Sequence, residues 1–391
     1  MTADICVIVP TIREYECMRS YAENARQHGF DTDRLHVVLV TEDFCETDAM
    51  ASMLDELDLT GEVFDGTARE EWYAEQGVAD FSHLVPAASH AETSFGLLYL
   101  WANEFEYGIF IDDDTRPDPE DDFFGGHLAN LAYEGEIESV RSDEQWVNVL
   151  HRNADDHGLY PRGYPYSAMD ETVETERTHV DSVVASQGLW THVPDLDAAR
   201  ILADGDLRGQ SETRLSREDF GEDFVASESQ YLTVCSMNLA FRREVIPAFY
   251  QLPMDDNPWD VGRFDDIWSG VFLKRACDVL DTEIITGGPL CEHHKAPRST
   301  FDDLRSELPA LECNEHLWAI VDDAAEGADS YAGAYAAMAD ALVAGEFEEF
   351  EEFENGEFLT YVGEHMHDWL DCLEELDPGS VATHAAATAD D

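Results

Sequence analysis

Residues 107–115 read YGIFIDDDT, an apolar run that ends directly in three aspartates. A short apolar run of this kind is typical of a buried strand. Three like charges at its end repel one another and stay ionised only beside a counter-cation. A divalent metal ion is such a cation, and ligands that are all oxygen favour Mg²⁺ or Mn²⁺. The segment therefore predicts a strand that leads into a metal-linked site, with a solvated acidic cluster as the alternative.

The residues before this segment alternate between strand and helix patterns. Apolar β-branched runs at 5–9 and 35–41 predict two further buried strands, and helical patterns follow at about 14–28 and at 91–105. Strands separated by helices are typical of a mainly parallel sheet built from βαβ units. In such sheets, ligands bind beyond the carboxyl ends of the strands.

Three predicted strand ends carry polar side chains, and we expect them to meet in one crevice. They are Thr11-Ile12-Arg13, Glu42-Asp43 and the aspartates Asp112, Asp113 and Asp114. The pattern is weaker over 115–230, where acidic loops interrupt short ordered pieces. Order returns with a strand at 231–241, a helix at 264–280 and a strand at 283–286.

The composition excludes several classes of protein. The 391 residues include 86 Asp and Glu against 22 Lys and Arg, a formal charge of −64. So negative a chain repels a phosphate backbone, which argues against nucleic-acid binding. No apolar run is long enough to span a membrane, and the N-terminus lacks a secretory pattern, so we expect a cytoplasmic protein. Because 44% of the residues are hydrophobic, a core can form, and the acidic surface suggests a halophile.

A second group of candidate residues lies in the segment GRFDDIWSG. Asp265 and Asp266 fall at the start of the helix predicted for 264–280. Carboxylates are favoured at a helix N-terminus, so capping is the alternative to a role in a site.

A third group is the segment EHHK at 292–295. Histidine is a common metal ligand, and lysine binds phosphate as a point charge. The chain has only two lysines, Lys274 and Lys295, and they flank this block. We therefore expect His293 and Lys295 to belong to the site.

Seven segments, taken in order, resemble the reversibly glycosylated polypeptides, a family that includes the plant UDP-arabinopyranose mutases. The match covers roughly residues 3–310 and leaves out the C-terminal region. It rests on VIVPTIR, the strand into DDD, RGYPYS, GLWTHVPDLDA, CSMNLAFRRE, GRFDDIWSG and HHKA. At 89–94 the chain reads SHAETS where the plant proteins have an SxCR segment, so a cation near the substrate is missing.

The resemblance implies an α/β, GT-A-like glycosyltransferase fold with a Rossmann-like, mixed and mainly parallel sheet. We expect a nucleotide-sugar domain at 1–310, an acidic helical region at 311–380 and a disordered tail at 381–391. From residue 311 onward the chain has 22 acids and no Lys or Arg. Within it, Phe347, Phe350 and Phe353 form an aromatic stripe that is more typical of a packing face than of a binding site.

The resemblance also implies roles for individual residues. The arginine that is reversibly glycosylated in that family falls on Arg162, and Asp265 and Asp266 would lie near the sugar as catalytic carboxylates. The nucleotide sugar would be bound by Thr11, Arg13, Asp43, Asp112, Asp113 and Lys295. The metal ion, Mn²⁺ or Mg²⁺ at a DXD-type motif, would be bound by Asp112, Asp114 and His293.

The expected function is that of a metal-assisted UDP-sugar mutase that interconverts pyranose and furanose rings, or of a self-glycosylating transferase, in the synthesis of cell-surface polysaccharide. An ordinary transferase to a lipid or protein acceptor, or a non-catalytic scaffold subunit, is the alternative. The expected partner is a UDP-sugar, and we expect a homo- or hetero-oligomer. The eight cysteines show no zinc or disulfide spacing and are expected to be reduced.

Overall fold

A large mixed sheet forms the centre of the computed structural model, which describes residues 3–12, 15–87, 89, 91–150, 158–254, 257–345 and 356–378. The strands are β1 (Ile5–Pro10), β2 (Leu35–Val40), β3 (Thr60–Phe64), β4 (Tyr107–Ile111), β5 (Thr115–Pro117), β6 (Gly135–Ser142), β7 (Trp146–Val147), β8 (Val173–Val180), β9 (Val183–His192), β10 (Phe224–Ala226), β11 (Tyr231–Leu232), β12 (Asn238–Arg242) and β13 (Glu283–His293). The α-helices are α1 (Cys17–His28), α2 (Thr47–Glu56), α3 (Gly66–Gln76), α4 (Glu92–Ala102), α5 (Phe123–Leu131), α6 (Ala198–Asp204), α7 (Asp265–Val279), α8 (Thr300–Ala324), α9 (Tyr331–Ala344) and α10 (Gly356–Leu376).

The first four long strands form the parallel half of the sheet, in the order β3-β2-β1-β4. Successive side chains of a strand point to opposite faces. On β1, Val7 packs with α1 and α2 residues in one apolar cluster, whereas Ile8 belongs to the cluster on the other face. Helices therefore cover both faces, which explains why β1, β2 and β4 read as largely apolar runs, whereas the edge strand β3 is partly exposed.

The second half of the sheet is mixed. Strand β12 pairs antiparallel with β4 and with β9, and β13 then runs parallel to β9. The sheet continues through β10 and β6 to β8 at the edge. The expected α/β architecture with a mixed sheet is confirmed.

Two strand predictions in this half were wrong in extent. The segment predicted as one strand at 231–241 forms two, β11 and β12, with a turn between them. The strand predicted at 283–286 continues to His293, past Pro289. Its pairing with β9 shifts register between Gly287 and Cys291, and such a bulge accommodates a proline, which has no N–H for the ladder.

The C-terminal helices pack on the sheet domain through aromatic residues. The Trp369 ring stacks on Tyr250 with centroids 4.7 Å apart, and its Nε1 donates to the carbonyl of Ile246 at 3.1 Å. Helix α8 runs through the expected boundary at residue 310, and the division into domains stays a prediction. The stripe at Phe347, Phe350 and Phe353 and the tail at 381–391 lie outside the described residues.

None of the helices within the described ranges has the length and apolar character needed to cross a membrane.

Candidate nucleotide-sugar site

A cavity of about 350 Å³ opens at the carboxyl ends of the central strands. We call it the strand-end cavity. Its wall contains residues from all three regions that the sequence singled out, among them Thr11, the three aspartates after β4, Arg162, Asp265, Asp266, His293 and Lys295. Arg13 lies outside the described residues.

The order of the strands fixes the order of groups along the strand-end cavity. Glu42 follows β2, Thr11 follows β1 and Asp112 follows β4, in neighbouring positions of the sheet. Asp195 follows β9, and Lys295 follows β13 at the far end. The five strand intervals from β2 to β13 span about 24 Å. The strand-end cavity is thus an elongated groove, and its two ends carry different polar and charged side chains.

At the β1 and β2 end, two buried hydrogen-bonded groups line the groove. The hydroxyl of Thr11 donates to Asp113 Oδ2 at 2.8 Å. Next to them, Arg69 donates to Glu42 Oε1 at 3.0 Å, and the Glu92 carboxyl lies in hydrogen-bonding reach of Glu42. Burial, and then the hydrogen bond with Glu42, raise the pKa of Glu92 to about 9.

Asp43, which was expected to face the nucleotide, is engaged elsewhere. Its side chain is exposed, and Oδ1 accepts a hydrogen bond from the backbone N–H of Thr67 in the first turn of α3 at 2.8 Å. Among the described residues that line the cavity are its neighbours Glu42 and Phe44, but not Asp43 itself. Its role in binding stays a prediction.

The aspartates after β4 and His293 after β13 meet in the middle of the groove. His293 Nε2 lies 3.8 Å from Asp114 Oδ1, and its Nδ1 is 2.7 Å from the carbonyl oxygen of Val193. Burial raises the pKa of Asp112 well above its usual range, and the charges of Asp114 and Asp266 add to the effect. Burial lowers the pKa of His293, which favours the neutral ring.

This donor set fits a divalent cation. A neutral imidazole whose Nδ1–H donates to a backbone carbonyl presents its Nε2 lone pair, which is the usual arrangement of a metal-binding histidine. The neighbouring carboxylates of Asp112 and Asp114 would supply negative charge to such an ion. Within the described ranges, no group of three or more His, Cys, Asp or Glu side chains is placed so that it could hold a metal ion by itself. A bound ion would therefore take part of its coordination from water or substrate, as Mg²⁺ commonly does.

Arg162 is fixed between two carboxylates. Its Nε donates to Asp195 Oδ2 at 3.0 Å, and its two terminal nitrogens contact the two oxygens of Asp266 at 3.3 and 3.1 Å. Nη1 also donates to the carbonyl of Arg263. Burial disfavours the charge of this guanidinium, but Asp195 and Asp266 more than offset that effect and raise the pKa of Arg162 well above its usual range.

The two aspartates of GRFDDIWSG lie in the first turn of α7 without capping it. The residue that precedes the helix is Phe264, and no side chain caps this end. Asp266 instead binds Arg162, and Asp265 is buried in the cavity wall. The capping alternative therefore does not describe these residues.

The two lysines have different surroundings. Lys295 is 6% exposed, lines the groove, and its Nζ lies 3.8 Å from Asp195 Oδ1. Lys274 forms a buried ion pair with Asp278, one turn later on α7, and is not among the described residues that line the groove. Lys295 therefore lies where the expected site is, and its binding of a ligand stays a prediction, whereas Lys274 has a structural partner away from the groove.

Several lining residues were not predicted from the sequence. Asp195 lies within the GLWTHVPDLDA segment, so its motif was recognised but its role was not. Glu92, Arg263 and Arg298 belong to the same wall, which also contains Glu42, as expected for a residue at a strand end. In so acidic a chain a single carboxylate is not distinctive, and only the strand order brings these residues together.

The fold and this groove indicate an α/β protein with a ligand site at the carboxyl ends of its central strands. The chain matches the model of the family described as reversibly glycosylated polypeptide over residues 88–377, and it belongs to that family. The match extends to residue 377, so the expectation that the C-terminal region falls outside the resemblance was wrong.

Curated relatives include UDP-arabinopyranose mutases. UDP-arabinopyranose mutase 1 of Arabidopsis thaliana is 32% identical over 217 residues, 54% of this chain and 54% of the relative. The protein of the same name from Oryza sativa subsp. japonica is 27% identical over 284 residues, 71% of this chain and 70% of the relative. The chain spans about half the length of most of the curated relatives it matches.

Two solved structures illustrate the more distant similarities. The mannosyltransferase PcManGT from Pyrobaculum calidifontis, in complex with GDP-Man and Mn²⁺, is 13% identical with a TM-score of 0.35, covering 96% of this chain and 88% of that one. Glucosyl-3-phosphoglycerate synthase from Mycobacterium tuberculosis, in complex with Mn²⁺, UDP and glucosyl-3-phosphoglycerate, is 12% identical with a TM-score of 0.38. The similarity covers 82% of this chain and 80% of that one. Scores this low carry no argument about the activity of this chain.

Proposed function

We propose that the protein is a metal-assisted UDP-sugar enzyme, and in particular a mutase that interconverts the ring forms of a UDP-bound sugar. Membership of the family and the names of its curated relatives support this activity. The observation that carries the proposal is the order of groups along the strand-end cavity. Polar groups suited to a nucleoside stand at one end, carboxylates and a histidine in the middle, and a carboxylate–arginine clamp at the other end.

The proposed arrangement assigns each part of the groove to one part of the ligand. Thr11 and the Glu42–Glu92 pair would contact the nucleoside, and Lys295 would bind the diphosphate. Asp114 and His293, with Asp112 nearby, would hold Mn²⁺ or Mg²⁺, which supplies Lewis-acid neutralisation of the diphosphate leaving group. Asp265 and Asp266 would face the sugar.

The carboxylates near the sugar have a clear chemical task. When the glycosyl bond to the diphosphate breaks, positive charge develops on the sugar ring, and a nearby carboxylate stabilises it. Asp266 suits this task because Arg162 fixes its orientation. Burial of the pair in a groove strengthens its electrostatic effect on the sugar.

The contacts of Arg162 favour a positioning role over a nucleophilic one. A guanidinium that binds two carboxylates is protonated, and a protonated guanidinium is a poor nucleophile. Reversible attachment of the sugar to Arg162 stays a prediction, as does the alternative of a transferase that uses a separate acceptor. A cytoplasmic location and an oligomeric state are also proposed on the sequence alone.

Product analysis tests the proposal. The protein is incubated with radiolabelled UDP-arabinopyranose, UDP-xylose, UDP-glucose and UDP-galactose, with Mn²⁺ or with EDTA, in KCl sufficient to keep it folded. We expect a ring-isomerised UDP-sugar that forms only with the metal present. The proposal would be refuted if none of the four substrates gave an isomerised product or left label on the protein. Label that transfers only when an acceptor is supplied would instead establish the transferase.

A further inference from the structure

Two arginines extend the groove beyond the position proposed for the diphosphate. Arg298 lies three residues after Lys295 in the segment that follows β13, and Arg263 lies just before α7. Both line the strand-end cavity. They stand at the β13 end, on the side away from Glu42 and Thr11.

Carboxylates of α8 hold both arginines through their Nε atoms. Arg263 Nε donates to Glu307 Oε1 at 2.8 Å, and Arg298 Nε lies 3.1 Å from Asp303 Oδ2. Asp303 also lies 3.6 Å from Arg263 Nη1. Asp303 and Glu307 are not among the described residues that line the cavity, whereas both arginines are. The carboxylates therefore anchor the arginines from behind.

A ligand could reach the terminal nitrogens of Arg298 and Nη2 of Arg263, whereas Arg263 Nη1 already lies 3.6 Å from Asp303 Oδ1. Among the residues that the structure describes, they make no hydrogen bond, because Nε takes the carboxylate in each case. Burial lowers the pKa of the Arg298 guanidinium, and the charge of the neighbouring Arg263 lowers it further, whereas Asp303 opposes both effects. In a chain with a net charge of −64, cations held this way at a cavity wall require a reason.

We infer that Arg263 and Arg298 form a second anion subsite, which takes a carboxylate on the sugar of the nucleotide sugar. Guanidinium groups match the two oxygens of a carboxylate by paired hydrogen bonds. The substrates of this class are UDP-linked uronic acids. The inference rests on the proposed function, because it assumes that the diphosphate binds at Lys295 and the middle of the groove. An acceptor phosphate would offer similar chemistry from another source.

Calorimetric titration tests the subsite. UDP, UDP-glucose, UDP-glucuronate and UDP-galacturonate are titrated into the full chain with Mn²⁺, at one fixed KCl concentration that keeps it folded. We expect one of the two uronates to bind at least about tenfold more tightly than UDP-glucose. Arg298→Gln should remove this advantage and leave the affinity for UDP-glucose within about twofold of wild type.

Arg305→Gln is the matched control, because Arg305 lies on α8 in an exposed pair with Asp302 and is not among the described lining residues. It should keep the full preference. Arg298→Glu should reverse the preference, so that the uronate binds less tightly than UDP-glucose. These variants change a partly exposed side chain, and their melting temperatures verify that they are folded.

Four results would overturn the inference. Equal affinity for UDP-glucose and both uronates would do so directly. An equal loss of affinity for all four ligands in Arg298→Gln would assign this arginine to the diphosphate. A third result would be that 5 mM inorganic phosphate binds together with UDP-glucose, that Arg298→Gln abolishes this binding, and that neither uronate gains affinity. The subsite would then serve an acceptor. Absence of binding by UDP and every UDP-sugar would refute the proposed function itself, which distinguishes the two failures.

Discussion

Arg162 and Asp266 form a two-point contact, with the terminal nitrogens of the arginine 3.3 and 3.1 Å from the two oxygens of the aspartate. They lie 104 residues apart in the chain. The third side of the guanidinium binds Asp195. The contact therefore fixes the plane of the Asp266 carboxylate at the end of the groove proposed for the sugar.

Replacing Arg162 by lysine keeps the charge but removes the two-point geometry. We expect Arg162→Lys to lower turnover of the UDP-sugar by about 100-fold, because a catalytic group shifted by about 1 Å loses that much. Affinity for UDP should change much less. Single-turnover kinetics and UDP titration measure the two effects. Arg141→Lys, in an exposed pair with Glu174, is the control. Wild-type turnover in Arg162→Lys would show that Asp266 needs no such partner.

Thr11→Val removes the hydroxyl that donates to Asp113 and preserves the shape of the side chain. We expect a loss of about 1 kcal/mol in the free energy of unfolding. Metal-dependent UDP affinity should also fall, because Asp113 loses a donor that fixes its position. Denaturant unfolding and UDP titration measure these changes, and Thr11→Ser should restore both. Failure of serine to restore them would mean that the methyl group, and not the hydroxyl, matters here.

The two lysines offer a matched comparison. Lys295→Gln should weaken UDP binding by about tenfold, because a nearly buried ammonium in the groove is lost. Lys274→Gln breaks a buried ion pair with Asp278 and should lower the melting temperature without changing UDP affinity at temperatures where the protein is folded. Equal losses of affinity in the two variants would contradict the separation of their roles.

Glu92 should make stability depend on pH. Its pKa is raised from 4.5 to about 9 in the folded protein, first by burial and then by the hydrogen bond with Glu42. A carboxyl with a raised folded-state pKa contributes stability that is complete below the unfolded value and is lost as pH rises through the folded value.

Glu92→Gln removes this titration. We expect its melting temperature to match wild type near pH 4.5 and to exceed it progressively towards pH 9. Glu70→Gln, on the exposed face of α3, should shift the curve little at any pH. A difference between Glu92→Gln and wild type that stays constant from pH 4.5 to 9 would show that Glu92 does not titrate in this range.

Trp369→Ala should destabilise the whole fold. The ring is fully buried, stacks on Tyr250 and donates a hydrogen bond to Ile246. We expect a loss of about 3–5 kcal/mol, as for other large buried aromatic residues, whereas Trp369→Phe should lose less. Chemical denaturation measures both. A small, separate transition in place of a shift of the whole curve would show that α10 unfolds independently of the sheet.

Three of the four strands in the parallel half, β1, β2 and β4, could be predicted from the sequence because helices cover both faces of the sheet there, whereas the partly exposed edge strand β3 was not recognised. Under that cover, β1, β2 and β4 are apolar along their whole length. The edge strand β8 was not recognised, since most of its residues are exposed and its sequence, VETERTHV, reads as an acidic loop. Strand β9 is almost entirely buried, but its polar Ser186 and Gln187 interrupt the apolar pattern.

Part of the site could also be predicted, for a different physical reason. The aspartates after β4 stood out because apolar residues precede them directly. Residue type and position also indicated Asp265, Asp266, His293 and Lys295, whereas Arg162 followed from the family resemblance alone. Asp195 and Glu92 could not be separated from 86 acidic residues by pattern alone, whereas Glu42 was indicated by its place at a predicted strand end. Their surroundings depend on which strands are neighbours, and that is a property of the three-dimensional fold.

Asp195 touches the cations of two parts of the groove, Arg162 at 3.0 Å and Lys295 at 3.8 Å. An anionic ligand that draws Lys295 towards itself leaves Asp195 to Arg162 alone and tightens that pair. The arginine that orients Asp266 thus responds to occupancy near Lys295. Coupling of this kind is reciprocal, so a ligand at the Asp266 end changes the affinity at Lys295 by the same factor.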